Sequence, residues 1–551
     1  MDGNGDVFVG LDVGTASVRA VAVRKGGAIL AEAERPLTIF HPVEGRHEQS
    51  SEQIWTASCA AVRQLVSEGA VSAEVVVAVG FDATCSLVVL GQNGEPLPVS
   101  SDSESSLGGE VPNIIMWLDH RAIAEADEIN KTQHSMLRCV GGAISPEMEP
   151  PKLLWLKRHA TSTFQTAGHF MDLVDYLTFM ATGSTIRSQC SVVCKWLYDA
   201  AERRWDATFF EACGFNFETE LAGKIGSEIQ LPGRPIDSGL SRVAASRMGL
   251  REGTVVATGI LDAHAGVVAS LATTSSQDGV DTDVSTGGKL SMICGTSVCH
   301  MALSSEPAFV DGVWGPYLSV IYPGMYLNEA GQSVVGPMFT QVLRTFGECA
   351  SDEAAVEAER KLLQLLEAKH GDRPLDLARL VEPIHVWPDY HGNRSPLADP
   401  NLRAAIVGLR LDTPVEAVYT AHVFAAAYMT RLTVDKLESK RKQRIELVYI
   451  CGGLQKNWLY VKAHADVLNR PVVLPSASQP VALGSAMLAA QAAAIVGGDS
   501  AAQLERSAAP LAQPGTLVLP GTDLQLRSLH NRRFVAFERL GDFVSQCYSS
   551  K

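Results

Sequence analysis

Asp12, Gly14, Thr15 and Ser17 lie within one stretch, Phe8-Val9-Gly10-Leu11-Asp12-Val13-Gly14-Thr15-Ala16-Ser17-Val18-Arg19-Ala20-Val21-Ala22-Val23, in which two apolar runs flank a Gly-Thr turn. Glycine lets backbone approach a ligand closely, and successive N–H groups in such a turn form a nest for an anion. Thr15 and Ser17 add two hydroxyls, and the aspartate that closes the first run can hold a hydrated magnesium ion beside them. The combination suits the phosphates of ATP, bound without a P-loop. A plain hairpin turn has the same make-up, so this stretch alone divides evenly between the two readings.

A second stretch tips the balance. Leu290-Ser291-Met292-Ile293-Cys294-Gly295-Thr296-Ser297-Val298-Cys299-His300-Met301-Ala302-Leu303 repeats the pattern, with Gly295-Thr296 matching Gly14-Thr15 and Ile293 standing where Asp12 stood. One metal needs one acidic anchor, and a second carboxylate would repel the phosphates. A repeat at the start of each half predicts two domains of like topology. Further on, Tyr449-Ile450-Cys451-Gly452-Gly453-Leu454-Gln455-Lys456-Asn457 carries an apolar strand into a Gly-Gly turn that can lie flat against an adenine or ribose, with a helix N-terminus nearby. As a lone motif it reads more readily as a plain strand-to-helix connection.

Asp262 follows the strand Gly253–Gly259 and heads a small-residue helix, Ala263–Ala272. Taken alone it is an N-cap worth about 1 kcal/mol; facing a cleft it suits a general base, kept ionised by the helix N-terminus. Other polar groups sit at the ends of apolar elements: Thr84-Cys85-Ser86, Trp117-Leu118-Asp119-His120-Arg121, Cys194-Lys195-Trp196, Asn328-Glu329-Ala330-Gly331-Gln332-Ser333 and His391-Gly392-Asn393-Arg394-Ser395-Pro396. Singly, Asp119 and Arg121 read as a solvated charge pair and Lys195 as a surface residue. There is no P-loop, H-E-x-x-H or G-x-S-x-G.

These residues need a scaffold to position them, and 551 residues are too many for one core, so two large domains are expected. Strands are read at 7–13, 18–23 and 28–34 as a meander. A helix opens at Ser50 with capping-box spacing to Gln53, Val75–Phe81 reads as a strand covered on both faces, and helices follow around 119–139, 151–159 and 172–182. Residues 273–289 read as an exposed linker. Val481–Gly498 reads as a buried Ala-rich helix rather than a membrane span. The net charge of −15 argues against nucleic acid and anionic membranes as partners. The N-terminus shows no secretory signal, and eleven cysteines with no C-x-x-C pair read as reduced thiols of a cytoplasmic protein. Cys190/Cys194 and Cys294/Cys299 lack a second pair to complete a zinc site.

The order of these motifs (the Asp12 hairpin, strand–Asp262-Ala-His-Ala-Gly266, the Gly295-Thr296-Ser297 hairpin, Glu329-Ala-Gly-Gln-Ser333, then Cys451-Gly452-Gly453) resembles the FGGY family of carbohydrate kinases over roughly residues 7–500. Phe81-Asp82-Ala83-Thr84-Cys85-Ser86-Leu87-Val88 and Met116-Trp117-Leu118-Asp119-His120-Arg121 resemble its ribulokinase branch, in particular the D-ribulokinase-like group. The Arg-Glu pair of glycerol kinases and the Met-His type pair of xylulokinases are absent from the Thr84–Ser86 loop.

The resemblance implies an α/β fold of two actin-like, ribonuclease H-like domains with a central cleft, in the sugar kinase/Hsp70/actin superfamily. Residues 1–270 would form the sugar and phosphate side and 271–551 the nucleotide side. It implies Asp262 as general base and Asp12 as the magnesium-side carboxylate. Gly14, Thr15, Ser17, Gly295 and Thr296 would face the phosphates, and Gly336, Gly452, Gly453 and Asn457 the nucleoside. Ala83, Asp119, Lys195, Asp262 and Glu329 would face the sugar. The implied reaction is ATP-dependent phosphorylation of a ketopentose, D-ribulose to D-ribulose 5-phosphate, with Mg2+. L-ribulose, ribitol and D-xylulose are the other acceptors, and a non-catalytic sugar or nucleotide sensor is the reading from another class. Family members are often dimers, but no stripe in this chain specifies an interface.

Overall fold

The computed structural model describes residues 5–67, 71–99, 110–237, 239–274, 284–371, 373–500 and 502–548. The chain forms two compact units. The first holds residues 1–273, 315–327 and 477–513; the second holds 274–314, 328–476 and 514–551.

In the first unit the apolar run at the N-terminus is β1 (Val7–Val13), buried along its whole length, and the Gly-Thr turn leads into β2 (Ser17–Arg24) and β3 (Ile29–Pro36). These three strands form the expected antiparallel meander. The helix α1 (Ser51–Ser67) starts where the capping residues placed it, with the Gln53 amide donating to the Ser50 hydroxyl at 3.3 Å. The chain then returns as β4 (Val76–Ala83), parallel to β1, because a crossover helix carries it back to the same end of the sheet. After α2 (Gln189–Trp196), two short parallel strands, β5 (Val255–Val256) and β6 (Ile260–Leu261), pair with β4, and α3 (Asp262–Ala272) follows directly. The sheet order is β5-β4-β1-β2-β3.

The second unit repeats this plan. Its hairpin is β7 (Lys289–Cys294) and β8 (Val298–Ser304), antiparallel. The sheet continues on one side through β9 (Tyr326–Gln332) and on the other through β10 (Leu447–Cys451) and β11 (Val472–Pro475), both added in parallel. The order β9-β8-β7-β10-β11 corresponds strand for strand to β3-β2-β1-β4-β5. The weak repeat in the sequence is therefore a repeat of topology. A 26-residue helix, Val415–Lys440, runs through the core of this unit with apolar residues on every side.

The Ala-rich segment near the C-terminus is the helix Pro480–Val496, and it packs in the first unit against β1, β4 and α3. No helix among the described residues is long and apolar enough to cross a membrane. Most of the 273–289 linker, residues 275–283, lies outside the described residues. Its last part is not exposed as expected: Gly287 and Gly288 are buried, and Arg441 Nη2 donates to the Gly287 carbonyl at 2.7 Å.

Candidate active site

Register places three carboxylates at one end of the first sheet. Asp12 on β1 is opposite Asp82 on β4. On the other side of β4, Ile260 is opposite Asp82 and Leu261 opposite Ala83, so Asp262 emerges at the same height. Ligands in parallel α/β sheets collect at the carboxyl ends of the strands, and all three acids stand there. Asp82 was not singled out as a site residue in the sequence. The available signal was its position as the acid that ends a buried strand parallel to the one ending near Asp12.

Burial, and then the neighbouring Asp262 charge, push the Asp12 carboxyl up to about 6, although Arg19 at 3.4 Å opposes the rise. Burial followed by the Asp12 charge raises Asp82 well above the usual carboxylate range, against a 2.6 Å hydrogen bond from the Ser485 hydroxyl. Asp262 is not the N-cap its position suggested. Leu261 occupies the cap, and Asp262 is the first helical residue, its Oδ1 accepting the adjacent Ala263 amide at 2.7 Å. Its carboxylate thus lies in the helix's first turn, where the helix dipole favours the charged form.

A carboxyl raised to about 6 binds its proton in the folded state where the unfolded chain, near 3.8, has lost it. Its stabilisation is therefore complete below the unfolded value and lost as pH rises through the folded one. Cation-free protein is expected to melt at progressively lower temperature between about pH 4 and 6, and Asp12→Asn to flatten part of that fall, which thermal scans across pH would measure.

The turn after β1 closes with the Gly14 amide donating to the Ser17 carbonyl at 3.0 Å. Gly14 and Thr15 are partly exposed. The Thr15 hydroxyl accepts the Trp117 indole N–H at 3.0 Å, and its carbonyl accepts from Gln49. Ser17 is buried and its hydroxyl is engaged by Glu34, so Gly14 and Thr15 carry the accessible part of this turn.

Ala83 ends β4, and the following Thr84 amide bonds the Val13 carbonyl at 3.0 Å, which ties this loop to the Asp12 strand. Lys195, near the end of α2, is not on the surface; it is 3% exposed. Burial pushes the Cys85 thiol up, with Lys195 opposing the rise and Asp172 and Asp262 adding to it. Asp119 is not half of a solvated pair either. Arg121 clasps it with two bonds of 2.8 and 2.7 Å, and the backbone amides of His47 and Arg121 fill its remaining acceptor sites. Arg121 also bonds Glu48 at 2.8 Å and lies over the Trp155 ring, and all three charged side chains are buried. Asp119 thus shapes the loop and has no carboxylate edge to spare. Arg121→Ala would remove two bonds to the buried Asp119 carboxylate and one to buried Glu48, a loss of about 3–5 kcal/mol, measurable by denaturant unfolding.

In the second unit the Gly295 amide closes its turn on the Ser297 carbonyl at 2.9 Å, as in the first hairpin. Gly295 and Thr296 are exposed. The Thr296 carbonyl accepts the Val335 amide, which brings the helix Gly336–Phe346 to this turn; a Cβ on Gly336 would lie 3.0 Å from the Gly295 carbonyl oxygen. That helix has no side-chain cap, so its first amides are available to an anion. Gly452, at φ +93°, would put a Cβ 2.4 Å from the Cys294 carbonyl, and Gly453 beside it has open space. Gly295, Thr296, Gly336, Gly452 and Gly453 therefore form one backbone-lined surface. The Asn457 side chain, next after the helical turn that follows the two glycines, is engaged by its own unit: Oδ1 caps Trp458–Leu468 through the Tyr460 amide, and Nδ2 donates to Tyr419 and Glu359. These bonds hold the helix that follows the Gly-Gly turn. Glu329, on β9, is buried with Arg394 at 3.4 Å, and Arg394 lies over the Trp314 ring.

Two family profiles match this chain in order. The N-terminal domain of the FGGY family of carbohydrate kinases covers residues 7–269, and its C-terminal domain covers 290–493. The human FGGY carbohydrate kinase domain-containing protein is 40% identical over 546 residues, which are 97% of this chain and 96% of the relative. A D-ribulokinase of Saccharomyces cerevisiae is 36% identical over 517 residues, 88% of this chain and 72% of the relative. A xylulose kinase from Rhodospirillum rubrum, 20% identical, shares the fold with a TM-score of 0.78 over 99% of this chain and 100% of its own. Matched in both halves and along nearly the whole of a 40%-identical relative, the chain belongs to the FGGY family of carbohydrate kinases, ATP-dependent enzymes that phosphorylate sugars.

Proposed function

We propose that this kinase transfers the γ-phosphoryl group of ATP to the terminal 5-hydroxyl of D-ribulose, giving D-ribulose 5-phosphate, with Asp262 as general base. The observation that carries the chemistry is the placement of Asp262 at the strand ends, in the first turn of α3, beside Asp12 and Asp82. The ketopentose is supported by the relatives named D-ribulokinase and ribulokinase, at 36% and 31% identity.

Phosphoryl transfer passes through a loose transition state, so the protein's work is positioning and charge neutralisation. The partly exposed Gly14-Thr15 turn, the exposed Gly295-Thr296 turn and the uncapped Gly336 helix supply amides for the phosphates. Asp262 takes the hydroxyl proton as the new O–P bond forms, and Lys195 and the Ala83 backbone orient the sugar. The acid cluster suits a hard divalent cation, because its carboxyls are buried and destabilise one another's charged forms. Asp12 and Asp82 would hold Mg2+, through water given that ion's reluctance to shed its shell, leaving Asp262 for the sugar. When bound, the ion offsets the charge on the phosphate oxygens.

A coupled ADP-release assay with D-ribulose, L-ribulose, D-xylulose, ribitol and glycerol tests the substrate. We expect the highest kcat/KM with D-ribulose; a preference for glycerol or D-xylulose would overturn the assignment. Binding of a sugar without ADP release from any of the five would favour a sensor.

A further inference from the structure

Cys190 and Cys194 stand one turn apart on α2 and so share a face of that helix. His264, on the first turn of α3, meets the same face from another element, its Nδ1 2.9 Å from the Cys190 sulfur. The two sulfurs and one ring nitrogen all lie within 4.8 Å of one another, and all three residues are buried. Among the described residues no other group of three or more His, Cys, Asp or Glu side chains is gathered this closely.

We propose that Cys190, Cys194 and His264 form a binding site for one soft metal ion of the zinc class. Two thiolates and an imidazole are a donor set that prefers Zn2+ to Mg2+ or Ca2+. Bonds of ~2.3 Å to sulfur and ~2.0 Å to nitrogen require ligand atoms about 3.5–3.8 Å apart. The trio is therefore near the needed size: the Cys190–His264 contact of 2.9 Å must open by about 0.6 Å, and any pair at the 4.8 Å limit must close by about 1 Å. Two thiolates also cancel the charge of a divalent ion, which lets it sit in a buried place. On binding, each thiol gives up its proton to solvent and two S–Zn bonds and one N–Zn bond form, with no change of oxidation state, so affinity rises with pH. The site is separate from the Asp12–Asp82–Asp262 cluster in ligand type. It joins the helix that carries Lys195 to the helix that Asp262 begins.

The test uses the full-length protein, reduced and treated with chelator, then titrated with Co2+ and with Zn2+. We expect one equivalent bound, a thiolate-to-Co2+ charge-transfer band, displacement of Co2+ by Zn2+, and a melting temperature that rises with Zn2+. Cys190→Ser and Cys194→Ser should each remove the band, while Cys547→Ser, which changes an exposed thiol, should keep it. X-ray absorption on the Zn2+-loaded wild type guards against variants that fail to fold; it should show two sulfurs and at least one nitrogen around zinc. A first shell of oxygen and nitrogen only, no stoichiometric uptake, or a band that survives both Cys190→Ser and Cys194→Ser but disappears with Cys547→Ser would each overturn the proposal.

Discussion

Asp262→Ala is expected to lower sugar phosphorylation by roughly 10²–10⁴-fold, the usual contribution of a positioned general base. Nucleotide binding should persist, because the two turns we assign to the phosphates close on their own backbone, Gly14 on Ser17 and Gly295 on Ser297, without the Asp262 side chain. The fold should tolerate the change, since Leu261 and not Asp262 is the α3 cap. Removing a carboxylate that raises Asp12 and Asp82 should also relieve both. The measurement is kcat with D-ribulose alongside nucleotide affinity by calorimetry. Asp262→Asn, which keeps the shape and loses the base, should fall as far as alanine. Turnover within a few-fold of wild type in either variant would remove Asp262 from the mechanism.

Gly80→Ala is expected to be among the most damaging single-methyl changes in the first unit. A Cβ there would lie 2.0 Å from the Ser485 carbonyl oxygen and 2.9 Å from its carbon. Gly10 on β1 has the same relation to the Pro480–Val496 helix, 1.9 Å from the Ala482 oxygen. Both obstacles are helix backbone, which cannot rotate aside as a side chain could. The helix must lift from β1 and β4, and the Ser485–Asp82 hydrogen bond goes with it. Overpacking a core costs about 1–3 kcal/mol when side chains can yield, and here the loss should exceed that range. Unfolding midpoints in denaturant would measure it. Gly223→Ala, whose Cβ meets nothing within 4 Å, serves as the control and should stay within about 0.5 kcal/mol of wild type.

The two variants probe different levels of legibility. Asp262 was readable as a candidate because a strand, a glycine exit and a small-residue helix surround it within a few residues. The alternative reading of Asp262 as a helix cap does not hold, because cap geometry depends on where helical dihedrals begin, and that point lies one residue earlier than the flanking residues suggest. The role of Gly80 was not readable. Its partner Ser485 is about four hundred positions away, and a glycine in a strand has several local explanations. Asp119 and Lys195 show the same limit: as residue types they read as solvated, and burial beside Arg121 and Cys85 changes what each can do.

By itself the sequence determined the two Gly-Thr hairpins, their order, the acid present in one and missing in the other, and with these the family and the like topology of two units. Those features are local: apolar runs, turn residues and a helix start lie within some fifteen positions, and short-range sterics make them legible. Tertiary structure alone decided which distant groups meet. Parallel register brought Asp82 to Asp12 and Asp262, turning one carboxylate into a cluster. The approach of the first turn of α3 to α2 gave Cys190 and Cys194 the histidine that their own neighbourhood lacked. Such neighbours are chosen by strand register and helix packing across the whole chain, and nothing in the flanking residues of either partner encodes the meeting.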